Sequence, residues 1–401
     1  MINKNAYMVM GYACNEKCRC CPLSFKKERV QVVPTDELFK EAFEMLKYGV
    51  TDVTLSGGEP TIHPEFIKIV SFFLEKNINV HILSNGERFS DKSFADELIK
   101  LAKSGELTVT TTFHSHIPEK HEFQNGTEGS FQRSLAGLRY LDESGVCISI
   151  KHCITSDNYH ELPLFMEFAL NNFSINAELQ MWGIDLCGLD EVSSKRSFID
   201  FRLIGSHLQK AKDVFENYGR TQKQALTINN IPLCTCDCYY WQYFTGPEDD
   251  IYIDHQKNGD ALEANSGPIS LHCHTCPFRY LCMGAYFSAF EIFGDDIVFV
   301  PQNETEIISH RSTIKCYNCS TIDKIFCSPY TLQNLNRRGF TLNNRLTNGY
   351  AAFRLKSEQI IRLQRLLSNG VGFNDLSKFF GENGFDGVLT VNDLLRKGLI
   401  E

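Results

Sequence analysis

The first 25 residues hold no apolar run of signal-peptide or membrane-span length, because "MINKNAYMVMGYACN" turns polar before such a stretch can develop. This predicts a cytoplasmic protein with no membrane partner. Excess positive charge is missing too: 40 Lys plus Arg stand against 49 Asp plus Glu, a formal net charge of -9. That balance gives no electrostatic footprint for binding nucleic acid as a whole molecule. Internal repeats and low-complexity tracts are absent, and cysteine disappears after about residue 330. What the chain has instead is sixteen cysteines within 401 residues that are 43% hydrophobic, enough for two or three domains with a core. In a reducing compartment such clustered thiols favour metal or cofactor ligation over disulfides.

From residue 6 to about 185, strand-like runs alternate with amphipathic helical stretches. The strands are "AYMVMGY", "VTLSG", "VHILSNG", "LTVTTTFHS", "VCISIKHC" and "AELQMWGI". In "TDELFKEAFEMLKYG" the residues Leu38, Ala42, Phe43 and Leu46 are predicted to share one helical face. In the next helix, Phe66, Val70, Phe73 and Leu74 do the same. Six strands alternating with helices predict a parallel sheet, open or curled towards a barrel, with ligands at the carboxyl ends of the strands. The pattern breaks after about residue 229, where nine of the next hundred residues are cysteines and a loop-rich, metal-dependent domain is expected. Beyond about residue 330, "LKSEQIIRLQRLL" and "GFNDLSKFFGENGFDGVLTVNDLLRKGLIE" read as short helices, compatible with a winged-helix module or a helical cap.

The motif "YACNEKCRCCPL" sets Cys14, Cys18 and Cys21 at CxxxCxxC spacing, with Cys20 as an extra. Three thiolates leave a metal centre one ligand short, which keeps a site open for chemistry. Zinc with Cys20 or a distant histidine as fourth ligand is the alternative. The second strand ends in "LSGGEPTIHP", where Gly57 and Gly58 let a ligand approach the backbone and Glu59 offers an acceptor for a cationic group.

At this point the chain resembles the radical S-adenosylmethionine (radical SAM, AdoMet) enzymes. The resemblance implies an α/β fold, a partial (β/α)6 barrel, with Cys14, Cys18 and Cys21 on a 4Fe-4S cluster whose remaining iron AdoMet chelates. It further implies that Gly57, Gly58, Glu59 and Pro60 hold the AdoMet amino group and that Ser84, Asn85 and Gly86 line the cofactor. Lys151 would stand near the AdoMet carboxylate. Where relatives carry an aromatic residue before the third cysteine, this chain has Cys20, so the adenine contact departs from the pattern.

Farther on, "HCHTCPFRYLC" places Cys273, Cys276 and Cys282 at CxxCx5C spacing. Together with Cys234 of "LCTCDC" this resembles the auxiliary-cluster (SPASM or twitch) domains of peptide-modifying radical SAM enzymes, and implies at least one auxiliary 4Fe-4S cluster. Cys236 and Cys238 are weaker ligand candidates, as are Cys316, Cys319 and Cys327, for a second cluster or for zinc. A zinc knuckle is the plainer alternative for the whole group. Cys147, Cys153 and Cys187 read as core thiols, with hydrogen donation to a substrate radical as a second role for Cys187. The segment with His114, His116 and His121 reads as a loop at the barrel mouth, and it resembles maturases of His-Xaa-Ser peptide systems.

The expected organisation is therefore a barrel over 1–228, a cysteine-rich auxiliary domain over 229–329 and a small, mostly helical module over 330–401. The expected activity is reductive cleavage of AdoMet to a 5′-deoxyadenosyl radical that modifies a ribosomally made peptide by crosslinking, epimerisation or thioether formation. Flavodoxin or ferredoxin would supply the electron. A protein side chain or a small molecule is the alternative substrate. An iron-sulfur sensor that binds DNA is the contrasting class, and no Arg- or Asn-rich recognition helix supports it. Hydrogen abstraction needs no general acid or base, and none is assigned.

Overall fold

The computed structural model describes residues 4–218 apart from 22, 24–30 and 188; 226–298 apart from 237–239, 241–242, 246–250, 255–265, 268–269, 275 and 277–281; and 331–400 apart from 337–338, 345–349, 354, 386, 388–389, 392–393 and 395–398. Cys238, Cys316, Cys319 and Cys327 lie outside the described residues. Contacts gather the chain into two compact units, Met1–Pro301 and Gln302–Glu401. The three-part division at 228 and 329 is a proposal on sequence grounds.

The first unit is built on one parallel sheet. Its strands are β1 (Lys4–Val9), β2 (Asp52–Ser56), β3 (Asn79–Ser84), β4 (Leu107–Thr112), β5 (Cys147–Cys153), β6 (Glu178–Trp182), β7 (Leu226–Asn229) and β8 (Ile251–Asp254). They lie in the order β7-β6-β5-β4-β3-β2-β1-β8. The six strands expected from the alternating pattern are present, with β7 and β8 added at the two edges. Strand β8 pairs with β1, Lys4 opposite Ile251 and Tyr7 opposite Asp254, so the sheet takes in a segment from the cysteine-rich stretch.

Helices cross between successive strands, as parallel pairing requires. They are α1 (Thr35–Lys47), α2 (Phe66–Glu75), α3 (Lys92–Ala102), α4 (Pro118–Asn125), α5 (Ser130–Glu143) and α6 (Leu162–Asn172). Helix α2 buries Phe66, Ile69, Val70, Phe73 and Leu74, the expected face with one isoleucine more. Each such side chain adds about 1.5–3 kcal/mol of hydrophobic stabilisation. Helix α1 differs from expectation. Leu38, Ala42 and Met45 are buried, whereas Phe43 is 51% exposed and meets Phe72 edge-on at 5.2 Å. The reason is angular: Met45 follows Ala42 by three residues and returns to the same stripe, whereas Phe43 is turned about 100° from Ala42.

Register aligns the carboxyl ends of the strands. Val9 pairs with Ser56, Ser84 with Thr111, Cys153 with Trp182, and Trp182 with Asn229. The cysteine loop, the "GGEP" turn, the "SNG" turn and the histidine segment therefore all leave from one end of the sheet, where open α/β sheets bind ligands.

The second unit departs from the mostly helical reading. Antiparallel strands Thr331–Asn336, Gly339–Asn344 and Tyr350–Phe353 precede helices Ser357–Asn369 and Phe373–Glu382. Leu342 and Phe353 pack with Leu363, Leu376, Phe379 and Phe380 in a core of their own. The strand "TLQNLN" is half asparagine and glutamine, which hides its period from a hydrophobicity reading.

Candidate functional site

The cysteine loop is laid against two other segments by backbone hydrogen bonds. Gly58 N donates to Gly11 O and Glu59 N to Ala13 O, each at 2.8 Å. This close approach is what the glycine pair is for. A Cβ on Gly57 would stand 2.2 Å from Gly11 O, and one on Gly58 would stand 2.2 Å from Ala13 O. On the other side, Lys17 N donates to Asn125 O and Arg19 N to Gln124 O, both at 2.8 Å, so the end of α4 grips the loop as well.

Within the loop, Glu16 lies between two of the candidate ligands. Its backbone N donates to Cys14 Sγ at 3.4 Å, and the Cys18 thiol donates to its Oε2 at 3.3 Å. Asn125 Nδ2 reaches Glu16 Oε1 at 2.7 Å. Burial pushes the Glu16 carboxyl up to about 8, against the lowering effect of the Cys18 hydrogen bond. Burial also drives the Cys18 thiol well above its ordinary range, with the charges of Cys20 and Cys21 adding to it. Cys21 lies within electrostatic reach of Cys14 as well as Cys18. Cys20 is buried, its thiol pushed up to about 12 by that burial, and Cys153 at the end of β5 is among its electrostatic neighbours. Among the described residues no three His, Cys, Asp or Glu side chains converge on a single-ion site. Ligands of a cubane bind separate irons, so a cluster does not require that convergence.

Glu59 was expected to accept from a bound cationic group. Its carboxylate is buried and already accepts from Thr61 N (3.0 Å), Thr61 Oγ1 (2.6 Å), Ser84 Oγ (2.8 Å) and Asn85 N (2.7 Å). Most of its accepting capacity is spent on tying the end of β2 to the end of β3. Burial raises its pKa, and these four donors oppose the rise. Pro60 is buried and opens the short 3-10 turn Pro60–Ile62. Ser84 accepts from Gly86 N at 3.0 Å, and Gly86 adopts φ +84°. Asn85 Nδ2 donates to Asn15 Oδ1, Asn15 Nδ2 to Glu87 Oε1 and Arg133 Nε to Glu87 Oε2, a polar chain that joins the cysteine loop to the "SNG" turn and α5. Lys151 extends its ammonium 3.9 Å above the Trp182 ring. Cys187 is exposed, and its backbone N donates to Asp185 Oδ1.

Two of the three histidines of this segment are buried, and His116 is half-buried. His114 and His121 are both buried, with His114 N donating to His121 Nδ1 at 3.2 Å. Burial pushes their pKa values down to about 4 and about 3. They build the loop, because Phe113 and Phe131 pack around His121 and exclude water.

The second cysteine group is also partly assembled. Leu233 N and Gly284 N each donate to Cys282 Sγ at 3.3 Å, which brings the segment carrying Cys234 against Cys282. Burial pushes Cys273 up to about 11, with Cys282 and Cys276 as electrostatic neighbours. Cys236 is buried, and its thiol donates to Gly205 O at 3.8 Å. Sequence reasoning missed Glu16 and Asn125. A lone acid among cysteines was the signal for the first, whereas Asn125 before Gly126 reads only as a helix end.

The donor set fits the implied group: three thiols in one loop, packed against a glycine pair where only glycines allow so close a backbone approach. Residues 8–169 match the Radical SAM superfamily. Among curated relatives, the antilisterial bacteriocin subtilosin biosynthesis protein AlbA of Bacillus subtilis (strain 168) is 26% identical over 158 residues, 39% of this chain and 35% of its own. The PqqA peptide cyclase of Granulibacter bethesdensis is 22% identical over 195 residues, 48% of this chain and 51% of its own. The chain thus spans about a third to a half of the length of these relatives. The crystal structure of Streptococcus suis SuiB bound to precursor peptide SuiA aligns at 15% identity and a TM-score of 0.46, over 56% of this chain and 48% of that one. No helix among the described residues is long and apolar enough to cross a membrane. Through residues 8–169, this chain carries a domain of the radical SAM superfamily.

Proposed function

We propose that Cys14, Cys18 and Cys21 hold a 4Fe-4S cluster and that the chain cleaves AdoMet reductively to modify a ribosomally made peptide. The observation that carries this is the cysteine loop docked on Gly57 and Gly58, where backbone groups approach with no side chain between them. When bound, the cluster and AdoMet supply an electron and a carbon radical, chemistry no side chain offers. The chain's own residues do the rest. Gly57 and Gly58 let the cysteine loop pack backbone to backbone on the end of β2, Ser84 and Asn85 tie the end of β3 to Glu59, and Lys151 offers a cation to a carboxylate. Ligation of a metal by the three cysteines is as thiolate, so any thiol proton is released on binding.

Cys273, Cys276 and Cys282 are proposed to hold an auxiliary cluster with Cys234. The two N–H donors on Cys282 Sγ are the kind of contact that stabilises a bound thiolate. The peptide substrate rests on the named roles of relatives such as the bacteriocin biosynthesis protein and the peptide cyclase. A flavodoxin or ferredoxin donor and a cytoplasmic location belong to the same proposal.

The test is anaerobic. The chain is reconstituted with iron and sulfide, reduced and given AdoMet, and 5′-deoxyadenosine is followed by liquid chromatography and mass spectrometry. Product that vanishes in Cys18→Ala supports the reading. A fully loaded cluster that yields none, with or without peptides encoded beside the gene, refutes it.

A further inference from the structure

We propose that Asn125, on a helix 109 residues away in sequence from the acid it holds, is the positioning residue that sets the cysteine loop for its cluster. The inference rests on the reading above for the identity of the cluster, but not for the contacts.

Asn125 is fully buried, and every polar group it has faces a partner. Its Nδ2 donates to Glu16 Oε1 at 2.7 Å and to Ser130 Oγ at 2.8 Å, and lies 3.1 Å from His121 Nε2. Its Oδ1 accepts from Thr127 N at 3.0 Å, and its backbone O accepts from Lys17 N at 2.8 Å. The neighbouring Gln124 O takes Arg19 N, and Thr127 Oγ1 reaches Asn15 O at 3.4 Å. Residues 15, 16, 17 and 19, which lie between the first and third cysteines, are thus all bonded to the turn that ends α4.

Glu16 transmits this hold to the thiols, since it touches Cys14 through its backbone N and Cys18 through its carboxylate. A buried amide with fixed partners resists displacement, because each broken contact leaves an unsatisfied polar group. The turn has no slack: Gly126 adopts φ +70°, and a Cβ there would lie 3.3 Å from Lys17 O. Asn125 would touch neither cluster nor substrate. It acts through Glu16.

The test reads thiol protection in the metal-free full chain, so it does not depend on the cluster. Iodoacetamide labelling of Cys18 is timed by mass spectrometry, with exposed Cys147 as the internal reference. Asn125→Asp replaces the amide donor shared by Glu16 and Ser130 with an acceptor, and Cys18 should label about tenfold faster, the change in an opening equilibrium expected from losing one buried hydrogen bond. Adding Glu16→Gln to that variant restores a donor and an acceptor in the opposite order and should bring the rate back towards wild type. A general loosening would not be rescued this way. Unchanged protection in Asn125→Asp, or a double variant no slower than the single one, overturns the proposal. If Asn125→Asp does not fold by circular dichroism, Asn125→Ser is judged by the same labelling change. In reconstituted protein, the AdoMet-induced change in the reduced cluster's electron paramagnetic resonance signal should weaken in Asn125→Asp and recover in the double variant. Absence of that signal in the wild type refutes the proposed function and leaves the labelling result standing.

Discussion

His152 offers a pH test that a single substitution isolates. It is buried on β5, stacked on Phe165 with 3.9 Å between ring centroids, and its Nδ1 bonds to Phe113 O at 2.8 Å. Its Nε2 has no partner among the described residues, so a second proton would find no acceptor. Burial pushes its pKa down to about 3 from the ordinary 6.5. The sign follows from linkage. Between those two values the unfolded chain binds a proton that the folded chain refuses, so stability falls as pH drops below about 6.5. At pH 5.5 the unfolded imidazole is mostly charged and the folded one is not, which costs about 1.2 kcal/mol relative to pH 7. Other groups titrate over the same range: His114 and His121 add to the loss, and Glu16, pushed up to about 8, opposes it. The quantity to measure is therefore the difference between wild type and His152→Phe in urea unfolding at pH 7 and pH 5.5, in metal-free protein at constant ionic strength. The variant should lose about 1.2 kcal/mol less over that interval. Equal losses would refute the claim that His152 is held neutral.

Gly58→Ala forces a Cβ to within 2.2 Å of Ala13 O, and should cost at least about 2 kcal/mol in urea unfolding while abolishing AdoMet binding by calorimetry. Gly381→Ala is the contrasting case: with nothing within 4 Å of its Cβ in a helix, it should stabilise by up to about 1 kcal/mol in the same assay. Glu59→Gln replaces an acceptor by a donor amid four donors, and should destabilise by about 1–3 kcal/mol, seen as a lower melting temperature. Cys282→Ser should lower iron content after reconstitution while the AdoMet-responsive signal persists; loss of that signal as well would contradict an independent auxiliary site.

The parallel sheet and the placing of the motifs at its carboxyl ends were legible because β-runs and amphipathic helices alternate with clear periods, and because CxxxCxxC and "GGEP" sit just after strands. Glu59 shows where that reading thins. Its place in the motif was visible, but its four donors come from β3 and its own turn and exist only once the strands are adjacent. Asn125 is harder still, since a helix-ending asparagine is common for local reasons and its partner Glu16 is 109 residues away. The histidines misled because a polar segment after a strand looks exposed, whereas Phe113 and Phe131 bury it. In the second unit, strands rich in asparagine escaped a search tuned to apolar alternation.

Strand β8 bears on the order in which the chain can acquire its cofactor during synthesis. Strand β1, which leads into the cysteine loop, is made well before its partner, and its outer edge is paired only when Ile251–Asp254 has left the ribosome. Until then β1 presents a row of unpaired backbone groups, the situation that invites pairing with other chains. Iron-sulfur assembly on the nascent protein would therefore meet an unfinished sheet edge until Ile251–Asp254 has emerged, with slow translation of the segment between the two strands prolonging the interval at risk.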